Sequence, residues 1–142
     1  MVKFDAQTLK NDFLKFKENW LKIGSIMKKA IYSNSYQPQE ETEFLSLKNT
    51  LSRQQKILSQ RVPDPKEFDF GSSDIANLLR SRMVSLNQIV QYTENDKKML
   101  IQEWHKVFIR INYVCGAFAF LEEREKNKPS IFKRIFLVFK KK

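Results

Sequence analysis

The sequence has few of the residues that tight turns and disulfides require. Its 142 residues include only 3 Gly, 4 Pro and 1 Cys. Because Gly and Pro supply the backbone geometry of tight turns, their scarcity argues against an all-β fold and favours long helices. A single cysteine rules out a disulfide within the chain and is consistent with a reducing compartment. A chain of this length can form one domain with a real core.

Segments typical of secretion or of membrane insertion are also missing from the sequence. The first residues, MVKFDAQTLKNDF, have charges every few positions and no apolar region of the kind found in secretory signals. The most apolar stretch, Val107 to Leu121, is interrupted by Arg110 and Asn112 and falls short of the ~20 apolar residues that cross a bilayer. We therefore expect a soluble protein located in the cytoplasm.

Residue types that support catalysis or metal binding are scarce. The only histidine, His105, lies two residues after Glu103, a spacing that puts the two side chains on different faces of a helix. Cys115 lies ten residues further along, which is ~15 Å on a helix axis, so it cannot pair with His105. The three glycines are isolated, which argues against a phosphate-binding loop. We expect a non-enzymatic protein with no metal, no other cofactor and no small-molecule substrate.

Apolar residues recur at helical spacing over four segments, which predicts an all-α, antiparallel four-helix bundle over residues 1–127. The predicted helices run from about 5 to 33, from 38 or 39 to about 62, from about 72 through 90, and from about 94 to 126. Their core positions are Leu9, Phe13, Phe16, Trp20, Ile23, Met27 and Ala30; Phe44, Leu47, Leu51 and Leu58; Ile75, Leu79, Met83, Leu86 and Val90; and Leu100, Trp104, Val107, Ile111, Val114, Phe118 and Leu121.

Several residues next to these lines have predicted roles of their own. Leu14, Leu21 and Ile31 are expected to widen the apolar stripe of the first helix. Gly24 is expected to weaken that helix by ~1 kcal/mol relative to Ala. Small residues around Gly116 in the fourth helix predict a patch where a neighbouring helix approaches closely.

The longest predicted loop, residues 63–71, contains Phe68 and Phe70. In the favoured interpretation the two rings plug one end of the bundle. In the alternative interpretation they form a secondary contact for a partner.

The last fifteen residues, 128–142, form a separate basic and aromatic segment. They contain six Lys and Arg and no acid, against a net charge of +10 for the whole chain. Plotted as a helix, the segment has an apolar side and a basic side, and it is too short to cross a bilayer. The residues predicted to bind a partner or a membrane are Ile131, Phe132, Lys133, Arg134, Ile135, Phe136, Phe139, Lys140, Lys141 and Lys142.

The sequence leaves open which of three surfaces this segment contacts. It either folds back on the bundle, or docks in a groove of a partner protein, or lies on an anionic membrane surface. We expect an adaptor, assembly factor or small subunit of a larger complex that contacts a partner protein or a peripheral anionic membrane. The alternative is a nucleic-acid-associated subunit that binds the phosphate backbone through Lys-rich surfaces, since the 19 Lys far outnumber the 7 Arg.

Overall fold

The computed structural model describes residues 6–62, 66 and 68–127. All regular structure in this part of the chain is helical, as predicted. There are five described helices: α1 (Ala6–Ser33), α2 (Pro38–Arg61), α3 (Ser72–Ser81), α4 (Leu86–Ile89) and α5 (Glu94–Asn127). The predicted bounds of α1, α2 and α5 therefore agree with the structure to within one or two residues.

Two local hydrogen bonds and one left-handed residue explain where three of these helices begin or end. Asn34 follows α1 with a φ of 53°, a left-handed conformation that ends a helix. At the start of α2 the Glu40 carboxylate accepts a hydrogen bond of 2.8 Å from the backbone N–H of Gln37. At the start of α5 the Thr93 hydroxyl accepts a bond of 3.1 Å from the N–H of Asp96. Thr93 is thus the N-cap of α5.

The third predicted helix is broken into α3 and α4, so the prediction of one continuous helix was wrong. Tertiary hydrogen bonds take up carbonyls freed at the break. Tyr92 donates to the carbonyl of Arg82 at 2.8 Å, and Lys48 donates to the carbonyl of Val84, also at 2.8 Å. The Ser85 hydroxyl then caps α4 by accepting from the N–H of Gln88. The Ser85 hydroxyl therefore accepts from the N–H of Gln88, which in a continuous helix would donate to a backbone carbonyl.

Side-chain pairs show that α1 runs antiparallel to both α5 and α2. Residue numbers rise along α1 as they fall along its neighbour in each case. The pairs are Lys17 with Asn112 and Trp20 with Trp104 for α5, and Asp12 with Arg61 and Lys29 with Glu40 for α2.

The same reasoning applies to α3, which runs antiparallel to α2 and to α5. The pairs are Ser72 with Gln55 and, just beyond α3, Val84 with Lys48 against α2, and Asp74 with Arg110 and Arg82 with Glu103 against α5. Each of α1 and α3 is therefore flanked by α2 and α5.

Twenty-six apolar residues of the described chain form one buried core, and most are the predicted ones. Leu14 and Leu21 were wrongly placed in it, because they are 43% and 41% exposed. Of the predicted positions, Leu47 and Val90 are only partly buried. Ile31 is buried as predicted, and Leu78 and Ile89, which are not among the predicted core positions, are buried as well.

Two tryptophans and a glycine determine how closely α1 and α5 approach. The indole N–H of Trp20 donates to the carbonyl of Trp104 at 3.2 Å, and the indole N–H of Trp104 donates to the carbonyl of Trp20 at 3.1 Å. A Cβ atom added at Gly24 would overlap the Trp104 ring. The close approach predicted at Gly116 is wrong, since a Cβ added there would meet no atom within 4 Å. Gly24 was predicted only to weaken α1. In the structure it is the position at which the absence of a side chain lets α1 and α5 approach each other.

Candidate interaction surfaces

The segment predicted to bind a partner or a membrane lies outside the described residues. This applies to all ten positions named in it: Ile131, Phe132, Lys133, Arg134, Ile135, Phe136, Phe139, Lys140, Lys141 and Lys142. The structure does locate its point of attachment, because α5 ends at Asn127. Phe118 of α5 stacks on Phe13 of α1 at 5.2 Å between ring centroids. The C-terminal end of α5 therefore lies at the same end of the described helices as the start of α1.

The rings of Phe68 and Phe70 lie inside the core at this same end. Phe68 is 5% exposed and stacks on Phe118 at 4.6 Å, and Phe70 is 1% exposed and meets Phe13 edge-on at 5.0 Å. This arrangement agrees with the favoured interpretation, in which the loop plugs the end of the bundle. A secondary partner contact through these rings is not available at the surface, because their faces are already packed against other rings.

Four lysines of α1 form two groups that differ in the charge of their partners. Lys22 and Lys29 lie near carboxylates, at 3.7 Å from Glu18 and 2.9 Å from Glu40. Lys17 instead donates to the amide oxygen of Asn112 at 2.7 Å. Lys28 lies over the Trp104 ring at 4.1 Å from its centroid. The second group has neutral partners, so its positive charge is not cancelled within the described residues.

Exposed apolar side chains accompany this second group of lysines. Leu21, between Lys17 and Lys28 on α1, is 41% exposed, and Ile109 on α5 is 55% exposed. Two aromatic rings on α5, Tyr113 and Phe120, are exposed by 70% and 59%. The spacing of Ile109, Tyr113 and Phe120 was visible in the sequence as a second apolar line on α5, but only the buried line was recognised.

A groove of about 530 Å³ lies between α3 and α5. Its lining includes the buried Leu78 and Val107 and the exposed Ile109, which lies between this groove and the opposite side of α5, and two ion pairs cross it. Arg110 lies 3.0 Å from Asp74, and Arg82 lies 3.3 Å from Glu103. The arginines that line the groove are thus paired within the protein.

The only cysteine and the only histidine of the chain stand apart. Cys115 is buried, and desolvation raises the pKa of its thiol to about 11, with Lys17 opposing that shift. His105 is exposed on the same helix, 6.2 Å from the Phe108 ring. A thiol with a pKa this high is almost entirely protonated at neutral pH, so it is a poor nucleophile.

Comparison with protein-family models found no match, and comparisons with curated protein sequences and with solved structures found none either.

Two further findings concern the described residues alone. No group of three or more His, Cys, Asp or Glu side chains there is placed to hold a metal ion. Within the same ranges, no helix combines the length and the apolar character needed to cross a membrane.

Proposed function

We propose that this protein is a non-enzymatic helical adaptor that attaches peripherally to an anionic membrane surface through residues 128–142. The proposal includes a cytoplasmic location, for which the single cysteine is supporting but not decisive. The observation that carries the proposal is the composition of the segment: six cations, no acids and three Phe in fifteen residues, attached directly after α5.

We infer that the folded part is an antiparallel four-helix bundle whose third member consists of α3 and α4 together. The antiparallel pairs described above support this arrangement, because α1 and α3 each have α2 and α5 as neighbours. Met83 and Leu86 on either side of the break are both buried, so the apolar line continues from α3 into α4.

The energetics of the segment suit reversible attachment. A cation near an anionic lipid surface contributes about 1 kcal/mol, and burial of Phe rings in the interface adds to this. Six cations therefore bring the protein to an anionic surface without a membrane-spanning helix. Such binding weakens as salt screens the charges.

Pairing of three of the seven arginines argues against base reading by those side chains, whereas phosphate binding through Lys-rich surfaces is decided by the salt-dependence experiment below. Arg61, Arg82 and Arg110 each contact a carboxylate, namely Asp12, Glu103 and Asp74. Arginine forks are the side chains that most often read base edges and grip phosphates bidentately, and these three are occupied.

Vesicle co-sedimentation tests the proposal. The full chain and a chain that ends at Asn127 are mixed with vesicles of phosphatidylcholine, with or without phosphatidylserine. We expect the full chain to sediment with the anionic vesicles only, and the shorter chain to lose at least about tenfold in affinity, since it lacks six cations. Equal binding of both chains, or equal binding to neutral and anionic vesicles, would contradict the proposal.

A charge-matched pair of variants separates this segment from net charge alone. Lys140→Glu with Lys141→Glu changes the charge of the segment, whereas Arg53→Glu with Lys56→Glu makes the same change at exposed positions on α2. We expect only the first pair to weaken vesicle binding strongly. If the full chain ignores anionic vesicles but binds duplex DNA with a steep dependence on salt, the nucleic-acid alternative replaces the proposal.

A further inference from the structure

We propose that helices α1 and α5 supply a second membrane contact, which we call the outer face. It binds the same anionic surface as residues 128–142. This inference rests on the proposed function. The outer face consists of Lys17, Leu21 and Lys28 on α1 and of Lys98, His105, Ile109, Asn112 and Gly116 on α5.

The spacing of these residues places them on one side of the helix pair. Lys17, Leu21 and Lys28 lie four and seven residues apart, so they follow one line along α1. On α5 the interval from Ile109 to Asn112 is three residues, which puts these two on a common line. The bond from Lys17 to Asn112 joins the two lines side by side.

Between Glu94 and Glu123, which lie on the same line at the two ends of α5, the charge of the outer face is positive. Among the described residues no ion pair joins Lys17, Lys28 or Lys98 to a carboxylate. Glu18, beside Lys17, pairs with Lys22, and Glu94, four residues before Lys98, pairs with Lys97. A surface of this kind attracts an anionic partner across a Debye length of about 8–10 Å.

The outer face also contains exposed apolar side chains, one on α1 and one on α5. Leu21 and Ile109 expose 41% and 55% of their surface, and Gly116 leaves open space beside them. Interfacial protein segments combine apolar side chains that enter the lipid boundary with lysines that reach the headgroups. The outer face thus has both components that residues 128–142 also have.

Charge decides which occupant fits this face. Residues 128–142 contain six cations and no acid, so docking them on Lys17 and Lys28 would bring like charges together. A second copy of the chain would present the same positive face. An anionic lipid surface is complementary in charge and flat enough to meet α1 and α5 along their length.

The test compares two double variants of the full chain on phosphatidylserine-containing vesicles. Leu21→Glu with Ile109→Glu alters the outer face. Leu45→Glu with Ile57→Glu is the control on α2, where the exposed fractions, 40% and 53%, match those of the first pair at 41% and 55%. Both pairs change the net charge equally. We expect the first pair to weaken vesicle binding about tenfold and the second to change it less than about twofold.

A fluorescent label gives a readout that does not depend on affinity. An environment-sensitive dye is attached to the new thiol of Leu21→Cys or of Ile57→Cys, in chains with Cys115→Ala. On anionic vesicles the emission is expected to shift to the blue at position 21 and to stay unchanged at position 57. Equal shifts at both positions, or none at position 21, would overturn the inference.

The outcomes distinguish this inference from the proposed function. If removal of residues 128–142 abolishes vesicle binding while both double variants of the body bind like the wild type, the proposed function stands and the second contact is wrong. If the chain that ends at Asn127 binds as well as the full chain, the proposed function is wrong, whatever the outer face does.

Discussion

At Gly24 the backbone of α1 is open to the indole of Trp104 because no side chain covers it. In an α-helix the carbonyl of Trp20 faces the N–H of residue 24, and here the same carbonyl also accepts from the Trp104 indole at 3.1 Å. Trp20 and Trp104 are 0% and 3% exposed, so each buried indole N–H needs the partner that this close approach provides.

A methyl group at Gly24 is therefore expected to destabilise the protein. Gly24→Ala gains up to ~1 kcal/mol in helix propensity, but it overlaps the Trp104 ring and forces it away from its hydrogen bond. Overpacking of this kind costs about 1–3 kcal/mol, so we expect a net loss in the free energy of unfolding, measured by guanidinium titration.

Gly116→Ala is the matched control, because it adds the same methyl group to a helix where nothing lies within 4 Å. We expect it to stabilise the protein by up to ~1 kcal/mol. If both substitutions stabilise equally, the Gly24 contact with Trp104 is not the constraint proposed.

These two glycines also show a limit of sequence reasoning about single residues. Periodicity predicts which side of a helix is buried, and the buried positions of α1 and α5 were predicted well on that basis. It does not tell which neighbour lies against a given residue. A close helix contact was therefore predicted at Gly116, whereas the structure has it at Gly24. Leu21 was placed in the core, whereas it is 41% exposed.

At the scale of helices, α4 is the element that depends most on contacts from elsewhere. It has only four residues, far too few to be stable in isolation. Its first backbone donors are satisfied by Glu41 of α2, whose carboxylate accepts from the N–H groups of Leu86 at 3.2 Å and Asn87 at 3.1 Å. A carboxylate at this end of a helix also suits its positive dipole.

Removal of this carboxylate is expected to destabilise the fold. Glu41→Ala leaves two backbone donors without their partner, and loss of a cap typically costs about 0.5–2 kcal/mol. Glu43→Ala is the control, since Glu43 is an exposed acid two residues further along α2, just past its first turn. Equal losses in the free energy of unfolding for the two variants would contradict this role of Glu41.

The break between α3 and α4 was missed because the apolar line of the third predicted helix continues across it. Ile75, Leu79, Met83 and Leu86 are all buried, as a continuous helix would require. The carbonyls at the break are satisfied by Lys48 and Tyr92, which are distant in sequence or lie beyond the segment. No local pattern in residues 72–90 specifies those partners.

At the scale of the whole molecule, the sequence predicted the helical class and the main core, and it identified the basic segment as the distinctive feature. Two further features, the outer face and the uncancelled charge of two of its lysines, arise only from packing. The outer face of α1 and α5 combines residues far apart in the chain, and the uncancelled charge of Lys17 and Lys28 follows from their neutral partners, Asn112 and Trp104. Composition alone cannot tell a paired lysine from an unpaired one.

The free energy of unfolding of helices α1 to α5 is expected to be independent of residues 128–142. Phe68 and Phe70 already pack against Phe13 and Phe118 at the end of the core from which the segment departs. A chain that ends at Asn127 should therefore keep its guanidinium m-value, which reports the surface buried on folding. Its melting temperature should stay within about 3 °C, the shift expected for ~1 kcal/mol in a domain of this size.

A second, shorter deletion separates packing from charge in this experiment. Removal of Lys140–Lys142 alone takes away three cations and leaves the apolar side chains of the segment. Relief of repulsion in a chain of net charge +10 predicts an equal or slightly higher melting temperature for both deletions. A lower m-value and a larger fall in melting temperature for the long deletion alone would mean that residues 131–139 pack on the bundle, in which case membrane attachment would first require them to be released.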